Sequence, residues 1–244
     1  MNNLLIYISV LILGGCEIFE EQTTLLPGDY YIEDGWQAFT SQKYDEAESY
    51  FMIAIETNKK GSIYHFESSV GLGWTHLYKA FYLNEINPDE LVKSSGNHLN
   101  TAISILVSHD ISPDINSKMN LYAGLTYQHS YWAKQIAANG IYWETENVAT
   151  SDTIRYLYQA SINYSKEIST DFIFQYDSTF TYNNITLIII ENYILIGDID
   201  NAVSQLIEYE EFSNFKCSET VNTSSIIACL CEATNNGTCP FQQE

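Results

Sequence analysis

The sequence predicts an all-α chain: an array of about four helical hairpins, closed by a small disulfide-stapled tail. Three observations lead there. In four segments an alanine is followed four residues later by a large apolar residue, as Ala47 with Phe51, Ala102 with Leu106, Ala160 with Tyr164 and Ala202 with Leu206. Residues four apart share a helix face, so each pair puts a small and a space-filling group on one stripe. Most of these segments follow a stretch with glycine in its middle, at Gly35, at Gly71 and Gly73, and at Gly124. Finally, only four prolines occur in 244 residues, so long helices meet little interruption.

Along the chain, an apolar run from Leu4 to Leu13 is followed by Gly14, Gly15 and Cys16. The run is shorter than the roughly 20 apolar residues a membrane-spanning helix needs. A short apolar core ending in small residues is a signal-peptide pattern. A buried N-terminal helix would be broken at once by the glycine pair. Met1-Asn2-Asn3 lacks Lys and Arg, so only the terminal amine is positive there. Leu13-Gly14-Gly15-Cys16 resembles the lipobox of bacterial lipoproteins. That resemblance implies cleavage before Cys16, lipid on its sulfur, and export to the cell envelope. It divides the chain into a signal peptide over 1–15, a lipidated tether over 16–28, a helical domain over 29–213 and a cysteine-rich tail over 214–244. In that family the residue after the cysteine influences sorting. Glu17 is not the aspartate linked to inner-membrane retention, so the outer membrane is expected. Glu17, Glu20 and Glu21 are also similar to the acidic stretch that sends some lipoproteins to the cell surface.

The first hairpin is the clearest. Tyr31–Asn58 contains Gly35, Tyr44, Ala47, Phe51 and Ala54. Gly35 lets two helix backbones approach, Ala47 and Ala54 do the same from the second helix, and Phe51 fills the gap between hairpins. KYDEAESYFMIAIETN resembles the second helix of a tetratricopeptide repeat, with those five residues on signature positions. The family's tryptophan and first leucine positions fall on Tyr31 and Asp34, and no proline closes the unit. The resemblance implies an α-solenoid that binds proteins or extended peptides along its inner face.

Three weaker hairpins follow. Ser62–Asn84 is a first helix with Gly71, Gly73 and Trp74, and Asp89 is placed to cap its partner, which holds Ala102 and Leu106. Pro113-Asp114 opens the next first helix, and its partner from Ser151 carries Ala160 and Tyr164. Tyr182–Ile196 is the fourth, interrupted by Glu191 and Asn192, and the turn Gly197-Asp198 leads to Ala202 and Leu206. The alanines lie 55, 58 and 42 residues apart, against about 34 in the regular repeat. Insertions near Asn139–Ser151 and Thr170–Thr179 are therefore expected, and in such arrays insertions often sit on the binding face.

Cys217, Cys229, Cys231 and Cys239 cluster in the polar tail. Export places them in an oxidising compartment, where disulfides are the default. A Cys229–Cys231 bond would be strained. The remaining pairings are 217–229 with 231–239, or 217–231 with 229–239, each loop worth about 2–4 kcal/mol. A four-cysteine zinc site is the alternative, but the spacing lacks the C-x2-C knuckle.

Chemistry is harder to find. His65, His76, His98, His109 and His129 show no metal-binding spacing, and no nucleophile elbow or phosphate loop occurs. No catalytic residue, metal or cofactor is expected, and the chain is read as non-enzymatic. Trp36 and Trp74 follow small residues, where packing is the commoner role, and Trp143 lies in an insertion. The formal charge of −21, from 31 acids against 10 bases, repels phosphate backbones and excludes nucleic acid. The 19 tyrosines suit amphipathic packing surfaces and grooves that bind peptides or sugars. The function expected is that of a protein-interaction scaffold on a lipid anchor, with envelope proteins or extended peptides as partners. The alternative is a surface lipoprotein binding glycan or nutrient for an outer-membrane transporter. An exposed aromatic platform on an insertion would favour sugar. An acidic groove lined by Asn and Tyr would favour protein.

Overall fold

The computed structural model describes residues 28–82, 88–139 and 151–213. Cys16, the four tail cysteines and Trp143 lie outside the described residues. So do residues 17–27 of the tether and 140–150 of the Asn139–Ser151 insertion. Eight helices occur among the described residues: α1 Gly28–Thr40, α2 Tyr44–Thr57, α3 Ile63–Tyr82, α4 Pro88–Ser108, α5 Ile115–Asn139, α6 Ser151–Ser165, α7 Tyr182–Ile196 and α8 Ile199–Ser213. No strand occurs among them, only an isolated antiparallel bridge between Ile173 and Thr181. None of these helices is long and apolar enough to cross a membrane.

Each helix packs on its neighbours in sequence. In addition α1 contacts α3, α3 contacts α5 and α5 contacts α7. The odd-numbered helices thus form a continuous layer, while the even-numbered ones pack mainly against their chain neighbours. A linear succession of contacts of this kind is that of an α-solenoid.

The first three helices show how sequence sets this layer. Gly35 on α1 and Gly71 on α3 both face the Phe51 ring on α2. A Cβ added at Gly35 would come to 2.7 Å of it, and one at Gly71 to 2.4 Å. Phe51 is fully buried between the two backbones, and Ala47 and Ala54 are buried beside it. Gly73 repeats the device one hairpin on, against Leu99 of α4. Lys79 of α3 bridges Asp45 at 2.6 Å and Glu48 at 2.7 Å on α2.

Local signals place the helix ends. Asp114 accepts hydrogen bonds from the Asn116 and Ser117 backbone N–H groups at the start of α5. Thr181 and Asn184 form a capping box at α7. Gly197, at φ 82°, closes α7 in the left-handed conformation that glycine adopts without strain. Helix α4 begins at Pro88, so Asp89 lies inside its first turn instead of capping it. There its charge favours the helix dipole.

On α4, Ala102 and Ile105 are buried and Leu106 is half-buried. On α8, Ala202 and Leu206 are buried against Ile190 of α7. Helix α6 differs from the pairing expected of it: Ala160 and Tyr164 are half-buried, and Ser161 and Ile162 face the core. The Ser161 hydroxyl donates to the Thr126 carbonyl of α5 at 2.7 Å and accepts from the Asn192 amide of α7 at 2.9 Å. Asn192 in turn accepts from Ser130 at 2.7 Å. All three side chains are fully or almost fully buried. This chain of bonds explains why a polar residue interrupts the apolar α7: it ties three helices together.

Candidate functional site

The segment between α6 and α7, residues 166–181, does not project from the array. It folds back across the face of α1, α3 and α5. Its aromatic residues alternate along the chain, and the side that meets the helices carries Phe172 and Phe174, both buried, with Tyr176 and Phe180 half-buried. Phe174 is fully buried and stacks on Trp74 of α3, with ring centroids 4.3 Å apart. Tyr176 stacks flat on Trp36 of α1, at 3.7 Å and 3°. Phe180 meets Trp74 and Tyr127 at 5.3 and 5.5 Å.

Backbone bonds hold the segment in a tight hairpin-like course. The Phe174 N–H donates to the Phe180 carbonyl, and the Tyr182 N–H donates to the Phe172 carbonyl, both at 2.9 Å. The Tyr78 hydroxyl donates to Asp177 at 2.7 Å, and the Thr179 backbone and hydroxyl reach its other oxygen. The insertion expected near Thr170–Thr179 therefore exists, and it fills the layer's open face with its own side chains.

Two crevices remain beside this plug. The smaller, about 290 Å³, lies between Tyr78, Tyr127, Asp177 and α7. The larger, about 520 Å³, is bounded by α1, α3, the start of α5 and the loop. Its floor is apolar, from Ile32, Phe66 and Val70, and the stacked Trp36 and Tyr176 border it. Its polar groups include Glu33, Gln37 and Thr40 of α1, Glu67 of α3, Asp114 with Ser117 and Asn120, and Gln175 of the loop.

The carboxylates differ in state. Burial works against ionised Asp114, but the Ser117 hydroxyl and the backbone N–H groups outweigh it and hold its pKa below the usual carboxylate value. Glu67 has no such help: burial, with repulsion from Asp114 added, pushes its pKa up to about 6. Burial also raises the Tyr176 hydroxyl to about 12, with Glu67 and Asp114 contributing. These three groups thus sense one another across the same space. No basic side chain borders it.

Elsewhere, His76 and His98 face each other at 5.3 Å, with a Glu48 oxygen 3.3 Å from His76. Burial, then His76, lowers His98 to about 4. Hydrogen bonding to His76 and to Lys79 takes Glu48 down to about 2. His65 accepts from the Gly61 N–H, and the Leu125 carbonyl is 2.9 Å from a ring nitrogen of buried His129. No group of three His, Cys, Asp or Glu able to hold a metal forms among the described residues.

Trp36 and Trp74 pack, as read from sequence, at 8% and 0% exposure. Glu67, Asn120 and Tyr176 were not singled out by sequence. Glu67 is the only acid in α3, and that is the one mark the sequence carries for it. The position of Tyr176 against Trp36 depends on a long-range fold-back with no local mark. No family model and no curated protein sequence matches this chain.

Proposed function

We propose that this chain is a non-enzymatic, lipid-anchored envelope protein that binds a protein partner or extended peptide through a tetratricopeptide-like helical array. Cys16 is its anchor, in the outer membrane, and the four tail cysteines form two disulfides. The binding site is the crevice between α1, α3, α5 and the loop, not the whole inner face. The observation that carries this reading is the crevice's lining. It is acidic, with an asparagine and a tyrosine at its wall, beside a face otherwise filled by the chain's own Phe172–Phe180 segment. Such a lining suits an extended, hydrogen-bonding partner. The aromatic pair Trp36–Tyr176 favours a second reading, a glycan or nutrient ligand delivered to a transporter. Trp36 is nearly buried, however, and one face of Tyr176 is covered by it, so little flat surface is left for a sugar ring.

Crosslinking in native envelopes followed by identification of the captured proteins tests the choice. Recovery of a reproducible protein partner is expected. Failure to recover one, alongside measurable glycan binding, would overturn it. Cys16→Ala should release the protein from membranes, and unchanged retention would contradict the anchor.

A further inference from the structure

The crevice holds two polar groups that the fold leaves without partners. Glu67 is desolvated, repelled by Asp114, and met by no hydrogen-bond donor or cation among the described residues. Asn120 is 3% exposed, and its backbone carbonyl accepts from the Trp74 indole at 2.9 Å. Asn120 borders the crevice, and its side-chain amide makes no hydrogen bond among the described residues. Both groups open on the crevice and are not sealed from solvent there, so a partner that reaches in can bond to them. Asp114 and Asn192 are satisfied within the fold, whereas the His76 Nδ1 and Ser95 Oγ atoms are buried without a partner among the described residues.

The missing partner has a definable chemistry. Three carboxylates, from Glu33, Glu67 and Asp114, border the cavity with no base among its lining. Glu33 and Asp114 are exposed to solvent, and Asp114 is already hydrogen-bonded, so a neutral ligand would leave Glu67 as the uncompensated charge. A cation meets it with charge-assisted bonds. The volume of about 520 Å³ accommodates a long side chain with its neighbouring backbone. The net charge of −21 also draws a basic surface towards it.

We infer that the crevice receives a lysine or arginine side chain of the partner protein, with its cationic end between Glu67 and the Trp36–Tyr176 wall and a polar hydrogen on Asn120. The inference rests on the crevice being the binding site. The Glu67 carboxylate supplies the counter-charge, the Asn120 carbonyl oxygen accepts a donated hydrogen, and Gln37 and Gln175 at the rim are placed to meet the flanking backbone.

The test compares Nα-acetyl-arginine amide with its neutral isostere Nα-acetyl-citrulline amide by calorimetry and NMR titration of the full chain. The arginine probe is expected to bind, and the citrulline probe at least tenfold more weakly, a difference of about 1.4 kcal/mol. Glu67→Gln should weaken the arginine probe to a similar extent, while Glu46→Gln on the exposed face of α2 should not. Equal binding of the two probes would overturn the inference. So would an unchanged affinity in Glu67→Gln, or no binding of the arginine probe at about 10 mM. The probe comparison uses the unmodified protein, so it holds even where a variant folds poorly. A partner that still crosslinks at Gln37 in the Glu67→Gln protein would leave the binding site standing and remove only the cation. Absence of any crosslink at the crevice would remove both.

Discussion

Replacing Phe174 with alanine measures how firmly the loop is part of the core. The ring is fully buried and stacks on Trp74 at 4.3 Å, with Tyr176, Phe39 and Trp36 at 5.6, 6.0 and 6.1 Å. Truncating a buried phenylalanine to alanine costs about 3–5 kcal/mol, from lost transfer energy and the cavity left behind. Domains carry only about 5–15 kcal/mol in total, so the loss is a large fraction. The urea midpoint should fall by about 1–2 M at an unfolding slope of about 2–3 kcal/mol per M. Protease cleavage within residues 166–181 should accelerate in parallel. Ile173, one residue earlier and 58% exposed, is the matched control, and its alanine variant should stay within about 0.5 kcal/mol of the parent. If Phe174→Ala changed stability no more than Ile173→Ala, and left proteolysis unaltered, the loop would not be a structural plug and the crevice would lose its wall.

Gly71→Ala should destabilise by about 1–3 kcal/mol in thermal melts, because its new methyl meets the Phe51 ring, which is already fixed by Gly35 on the other side. Glu67→Gln should leave stability unchanged below about pH 4.5 and raise it above about pH 6. The folded pKa of about 6 lies above the ordinary value of 4.5, so the native state loses stability as pH rises through that window. The gain should reach at most about 1 kcal/mol, since solvent screens a half-buried carboxylate. On the acid side the sign reverses. His98 titrates near 4 in the fold, below its ordinary 6.5, so stability should decline as pH falls from 6.5, with Glu48 adding to the loss below about 4.5. Melting temperatures across pH 3–8 for the parent and for Lys79→Met, which removes one of the Glu48 partners, check that limb.

The parts of the fold legible in sequence were those written in local periodicity. Gly35, Ala47, Phe51 and Ala54 mark a helix pair whose contacts are set within thirty residues or so. Gly197 marks the end of α7 because only glycine takes that backbone angle without strain. At α6 the alanine pattern is incomplete: Ala160 and Tyr164 are half-buried, with Tyr164 packed against the core, and Ser161 and Ile162 are the buried pair. Ser161 does the work there because its hydroxyl can meet the Thr126 carbonyl and the Asn192 amide, a choice that depends on helices 31 and 35 residues away. The loop was legible as an insertion but not as a plug. Phe172, Phe174 and Tyr176 alternate with exposed residues, a pattern that states one apolar face without naming what covers it. Glu67 and Asn120 came into view only when three helices and that loop enclosed them.

Position-resolved photocrosslinking tests the central claim most directly. A photoreactive residue placed at Gln37 or Gln175, on the crevice rim, is compared in native envelopes with one at Val107, exposed on α4 at 78%. One discrete protein adduct is expected from both rim positions and none from Val107. Adducts from Val107 with none from the rim would show that partners use the surface of α4, and would contradict the crevice as the binding site.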